Sequence, residues 1–212
     1  MSEHSAGTGR ASGRAIGTCA GALGFGLVCG LVLTLAHALL PDQWAVLAGT
    51  SALWSVVGLI AGRWSAGRAH SLGASAGTAS ASTGAFAGLI AMVGVLLPWL
   101  AVNAPTTSAI EVALWIVVGP VAGAVCGAAG ALSTSPGTRG SVAAGVVPGI
   151  IGGEAVYGIW LIGGPAWILE AVLALVVLAI VSRPGGRGVS LASMTLLVSL
   201  SAAACLVYDA VA

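Results

Sequence analysis

The segment GIIGGEAVYGIWLIGG, residues 149–164, sets a single carboxyl group, Glu154, in an otherwise apolar run. The nearest arginine, Arg139, is 15 positions away. An isolated carboxylate is expensive in apolar surroundings, so this group must be protonated, hydrogen-bonded or open to a water-filled pocket. A carboxyl kept neutral by such surroundings can act as a general acid. Aromatic residues accompany this acid and others. Tyr157 follows Glu154 by three positions and Trp160 by six, Trp167 precedes Glu170 by three, and Trp115 follows Glu111 by four. Pairs three or four apart share a helix face. Tyr208 adjoins Asp209, and Trp44 closely follows Asp42. The competing reading of these rings is a belt at a membrane interface, where Trp and Tyr concentrate.

The elements that must position these residues are helices in a membrane. The chain of 212 residues is 58% hydrophobic and 6% charged, against about 25% charged in soluble domains. Apolar runs near 20 residues predict an all-α, polytopic membrane bundle of seven transmembrane helices. They are expected over about 16–40, 44–62, 83–100, 110–132, 141–162, 165–182 and 190–211. The breaks carry turn chemistry at Pro41-Asp42, Pro98, Asn103-Ala104-Pro105, Ser135-Pro136-Gly137, Gly163-Gly164-Pro165 and Pro184-Gly185-Gly186. The shortest connection makes the fifth and sixth helices a tight hairpin. Residues 1–15 read as a polar cytoplasmic tail, 16–212 as one seven-helix domain, and 65–82 as a flexible inside loop of small residues containing His70.

The arginines fix an orientation. The chain has no lysine, and its seven arginines are Arg10, Arg14, Arg63, Arg68, Arg139, Arg183 and Arg187. With seven spans, every one falls on the same side, which the positive-inside rule makes the cytoplasm. The expected protein is therefore a multi-pass protein of the plasma membrane, N-terminus inside and C-terminus outside. Asp42, Glu111, Glu154, Glu170 and Asp209 then all lie in the outer half, joined by His37. At 1.5 Å rise per residue, Glu154 sits roughly 12 Å below the outer end of its helix. A charge near a helix centre costs on the order of 2.5–3.5 kcal/mol to insert, and no arginine is available on that side. Asp42, Glu111 and Asp209, at helix ends, also fit a solvated interface.

Other features are quieter. Net charge near zero makes nucleic acid an unsuitable partner. Cys19, Cys29, Cys126 and Cys205 show no metal-ligand spacing and read as packing residues, so no metal or cofactor is expected. Trp54 and Trp64 fall toward the inner half and read as packing or belt residues. Glycines recur four apart at Gly17/Gly21, Gly26/Gly30, Gly58/Gly62, Gly84/Gly88, Gly119/Gly123/Gly127 and Gly149/Gly153. Small residues one turn apart let helices approach closely in lipid, so this spacing predicts a compact bundle.

The proline after the first helix, the VVGPVAGAVCG helix, the Gly-Glu-Ala-Val-Tyr-Gly segment and the Trp167/Glu170 pair resemble a small bacterial multi-pass membrane family of largely unknown function. In size and layout the chain is also similar to small integral membrane terpene cyclases, including those of indole-terpenoid pathways. That resemblance implies acid-initiated cyclisation of a prenylated, for example farnesylated, amphipathic substrate drawn from the bilayer. It would make Glu154 the general acid or the group that sets the acid's proton. Glu170, Asp209, Glu111 and Asp42 would be alternatives for acid or base, and His37 a further base. Tyr157, Trp160, Trp167, Trp115, Trp44 and Tyr208 would line the substrate's path, since ring faces stabilise cations. No aspartate-rich diphosphate motif is present, which argues against diphosphate ionisation. Two other readings stand beside the cyclase: a small proton-coupled transporter, for which an intramembrane Glu is typical, and a non-catalytic membrane scaffold. A one-sided cavity at Glu154 favours the enzyme, a continuous polar path the carrier, and the lack of a cavity the scaffold.

Overall fold

The computed structural model describes the backbone of residues 6–71 and 78–211, and the side chains of residues 17–68 and 81–207. Nearly all of that backbone is helical: α1 (Ala6–Leu39), α2 (Asp42–Gly49), α3 (Ser51–Ser71), α4 (Thr78–Asn103), α5 (Ala109–Leu132), α6 (Gly137–Tyr157), α7 (Pro165–Val181) and α8 (Arg187–Val211). A five-residue π-turn, Gly158–Ile162, extends α6, and a 3-10 turn, Pro184–Gly186, precedes α8. Helices satisfy their own backbone groups, which is what lipid demands. Six segments are long and apolar enough to cross a bilayer: Gly17–Leu39, Asp42–Arg68, Ala81–Asn103, Ala109–Leu132, Gly137–Ile162 and Pro184–Val207. The seventh, Pro165–Val181, has 17 residues, about 25 Å of helix. The outside is as apolar as the inside, with Val28, Val117, Ile180 and Leu196 exposed. The chain is a multi-pass membrane protein.

Four boundaries differ from the sequence reading. The first helix begins at Ala6, ten residues before the apolar run, because helix continues through the polar stretch. Within 65–82, α3 runs on to Ser71 and α4 starts at Thr78, while residues 72–77 lie outside the described residues. Pro98 ends nothing; α4 passes through it to Asn103, as transmembrane helices permit when neighbours cover the freed carbonyl. The expected single helix over 44–62 is two, α2 and α3, broken at Thr50, which is extended at φ −71°, ψ 152°.

Two apolar cores hold the bundle. Ala22 of α1, Trp54 and Val57 of α3, and Ala91, Met92 and Val95 of α4 form one. Leu59 of α3, Cys126 of α5, Val147 and Ile151 of α6, and Ala174 and Val177 of α7 form the other. Helix α3 contributes to both, packing on α4, α5 and α6. Glycine makes the close approaches possible. A Cβ on Gly127 of α5 would stand 2.8 Å from the Cα of Gly88 on α4, so these helices touch backbone to backbone. Gly145, Gly149 and Gly153 do the same for α6 against α8. Gly17 meets nothing within 4 Å, so its place in the four-residue pattern has no packing role.

Candidate functional site

The break at Thr50 builds the site. A helix start leaves its first amides without intrahelical partners, and such groups are costly away from water. Thr50 does not cap them; its hydroxyl turns back and donates to the Leu47 carbonyl at 2.9 Å. Glu154 of α6 supplies the acceptor instead. The Ser51 N–H donates to Glu154 Oε1 at 3.2 Å, and Ser51 Oγ donates to Oε2. An acid at a helix N-terminus is also favoured by the helix dipole. The half-buried carboxyl that the sequence leaves without a basic partner is thus tied to the start of α3.

The π-turn brings a second carboxyl to the first. The Gly163 N–H donates to the Gly158 carbonyl at 2.8 Å, and Gly163 and Gly164, at φ +77° and +107°, reverse the chain. Helix α7 returns along α6, forming the expected hairpin. Trp167 lies flat on Gly158, where any Cβ would collide with its ring. One turn on, Glu170 is 0% exposed. Both its oxygens are buried with no hydrogen-bond partner. It lies near enough to Glu154 for the two carboxyl groups to interact directly.

A cavity of about 420 Å³ opens beside this pair, lined by Ser51, Glu154, Tyr157, Trp167, Trp115 and Cys205, among others. That is within the range of small-molecule sites. Leu114, Val118 and Ala204, which also line it, are exposed on the flank of the bundle. The mouth therefore faces the apolar surroundings between α5 and α8. Glu170 lines a different cavity, of about 380 Å³, with Leu47 and Thr50 on one wall and Leu173 and Val176 on the other. The carboxyl pair stands between the two.

The other anticipated residues scatter. Trp115 extends the cavity wall into a cluster with Trp54 and Trp99, ring centroids 5.5–6.3 Å apart. Trp54, expected in the inner half, is instead one turn from the start of α3, because the break at Thr50 makes Ser51 that start. Trp160 is 86% exposed and outside the cavity; six positions after Glu154, it is turned well away from that residue's face of the helix. His37 Nδ1 donates to the Ala45 carbonyl at 2.9 Å and ties α1 to α2. Asp42 is exposed at the start of α2, where Trp44 is half-buried. Glu111 is in the first turn of α5, its N–H capped by Ser108 Oγ. None of these four lines either cavity at the carboxyl pair. The side chains of Tyr208, Asp209 and His70 lie outside the described residues. Sequence reasoning missed Ser51, Thr50 and Trp99; the only signal was Gly49-Thr50-Ser51 interrupting an apolar run. Among the described residues no three His, Cys, Asp or Glu side chains converge as metal ligands.

The opposite end of the bundle is basic. Arg63 Nη1 donates to Ser133 Oγ at 2.6 Å, an arginine nitrogen of Arg183 donates to the Thr134 carbonyl, and Arg68 lies over the Trp64 ring at 3.9 Å. Among the described residues, acids and arginines are segregated to opposite ends, as the sequence pattern implies for the spans.

The chain belongs to a family of unknown function (DUF6518), whose profile matches residues 10–212. No curated protein and no solved structure matches it.

Proposed function

We propose that this family member is a membrane enzyme that cyclises a prenylated substrate by protonation, with the Glu154/Glu170 pair as its proton source. The observation that carries this reading is one cavity holding a carboxyl group, Glu154, and three rings, Trp115, Tyr157 and Trp167. The cavity mouth faces the apolar flank, the direction from which a prenyl tail would come. Two neighbouring carboxyl groups in apolar surroundings share a proton more cheaply than they carry two charges. Glu154 faces the cavity and would deliver that proton; Glu170, behind it, would hold the charge in balance.

In the proposed reaction a Glu154 O–H bond breaks as a C–H bond forms at one alkene carbon, leaving a tertiary cation. The π-electrons of a second alkene close a C–C bond and move the charge along the chain, under the faces of Trp115 and Trp167. The Glu154 carboxylate then removes a proton from the carbon next to the last cation, and that C–H electron pair becomes the product alkene. Substrate and product are isomers, and the pair ends as it began. We further propose that the arginine-bearing end faces the cytoplasm of the plasma membrane, which puts the cavity in the outer half.

The test uses the full chain in detergent with a farnesylated aromatic compound, following an isomer of unchanged mass by chromatography. Turnover should fall about 10²-fold or more in Glu154→Gln while the protein remains folded. Prenyl substrates left untouched by the wild type, or cyclised by Glu154→Gln at the wild-type rate, would end this reading. The cavity behind Glu170 favours a second one, a proton-coupled carrier. Proton-linked uptake in vesicles, lost in Glu170→Gln, would mark that alternative.

A further inference from the structure

The geometry points to a specific site for an anionic phospholipid in the wedge between α5 and α6, at the arginine-bearing end. These helices are joined by a short turn and would ordinarily lie side by side. Their contact is slighter than each makes with its main partner, because their glycine faces are committed elsewhere: Gly123 and Gly127 of α5 to α4, and Gly145, Gly149 and Gly153 of α6 to α8. A groove of about 620 Å³ is left between them, walled by Val125, Ala128 and Leu132 of α5 and by Val142 and Val146 of α6. Counted along either helix, the walls run roughly 10 Å inward from the turn. In a bilayer such an apolar wedge is filled by an acyl chain.

The charge at its mouth selects the headgroup. Arg139 lines the groove where it reaches the turn, beside Thr138. Both are exposed, and Arg139 makes no hydrogen bond or ion pair among the described residues. Arg63 and Arg183 hold the same turn through Ser133 and Thr134, near enough for their charges to repel. The described acids of the spans lie away from these arginines: Glu154 bonds the start of α3, whereas Arg63 lies roughly 18 Å further along that helix. Three guanidinium groups around one turn, with no carboxylate among the described residues to neutralise them, complement a phosphodiester. An apolar groove of this depth beneath them complements the chain the phosphodiester carries.

Native mass spectrometry of the full chain in detergent tests this, comparing phosphatidylglycerol with phosphatidylcholine of identical acyl chains. A basic residue near the membrane surface contributes about a fivefold preference for anionic lipid, so the wild type should retain phosphatidylglycerol at least about fivefold better. Arg139→Gln, at an exposed position, should reduce that preference by about fivefold and leave phosphatidylcholine unchanged. Ala128→Phe, which fills the groove, should lower retention of both lipids, with its fold checked by thermal unfolding. Glycerol phosphate should not displace the lipid. Equal retention of the two lipids by the wild type, an undiminished preference in Arg139→Gln, or displacement by glycerol phosphate would each overturn the site. Arg139→Gln decides the matter alone if Ala128→Phe does not fold.

Discussion

Ser51 gives its backbone N–H and its hydroxyl to the two oxygens of Glu154, a residue 103 positions further along the chain. The carboxyl is therefore part of the architecture before it is part of any chemistry. The two roles separate by substitution. Glu154→Ala leaves the half-buried Ser51 N–H without its acceptor, a loss of about 1 kcal/mol or more. Glu154→Gln keeps one carbonyl oxygen and should cost less. Unfolding in detergent should rank the wild type above Gln and Gln above Ala; equal stability of Ala and wild type would show that the start of α3 does not depend on this group.

Glu170 should behave in the opposite way. Its carboxyl is fully buried, and apart from the neighbouring Glu154 neither oxygen has a polar partner among the described residues. Replacing an unsatisfied buried polar group by an apolar one of similar shape is neutral or stabilising, by up to about 1–3 kcal/mol. Glu170→Met should therefore unfold no earlier than the wild type, and should lose whatever proton transfer the pair performs. A protein that is both more stable and inactive would identify Glu170 as a group retained for function. A clear loss of stability would make it structural.

Gly127 and Gly17 make a matched pair for the packing. Adding a methyl group at Gly127 forces it onto the backbone of α4, at the Cα of Gly88. Gly127→Ala should cost about 1–3 kcal/mol from overpacking. Gly17→Ala, with nothing near, should be neutral or slightly favourable. The comparison is read from unfolding midpoints of the two variants.

Sidedness can be read at two exposed threonines. Thr106 lies between α4 and α5, and Thr138 opens α6. Single cysteines there, in a background with the four native cysteines replaced by serine, should label from opposite faces of the membrane, Thr138 from the cytoplasmic one. Labelling of both from one face would remove the odd number of crossings and the proposed orientation with it. Neither position disturbs packing, whereas Gly140 is buried against the Ser135 carbonyl.

The spans and the segregation of charge were legible in the sequence because both depend on composition along one helix at a time. Gly163-Gly164-Pro165 also announced its hairpin, since positive φ and a first-turn proline have chemical signatures. The partner of Glu154 was not legible. Ser51 is distant in sequence, and its free donor exists only because the helix stops at Thr50, inside a run that reads as continuous. Trp160 was misplaced for a simpler reason: it follows Glu154 by six positions, and only three- and four-residue spacing shares a helix face. The wedge between α5 and α6 escaped notice because it depends on which partner each glycine face selects.

The bond between Ser51 and Glu154 also has a place in time. A ribosome adds about 5–20 residues each second, so the 103 residues between the two partners take roughly 5–20 s to make. Throughout that interval α3 is already synthesised, yet the acceptor for its first amide has not emerged. Its amino end must stay near water or borrow partners from lipid headgroups or the insertion machinery until α6 arrives. The completion of the helix that later stands between both cores thus waits on a residue in the second half of the chain.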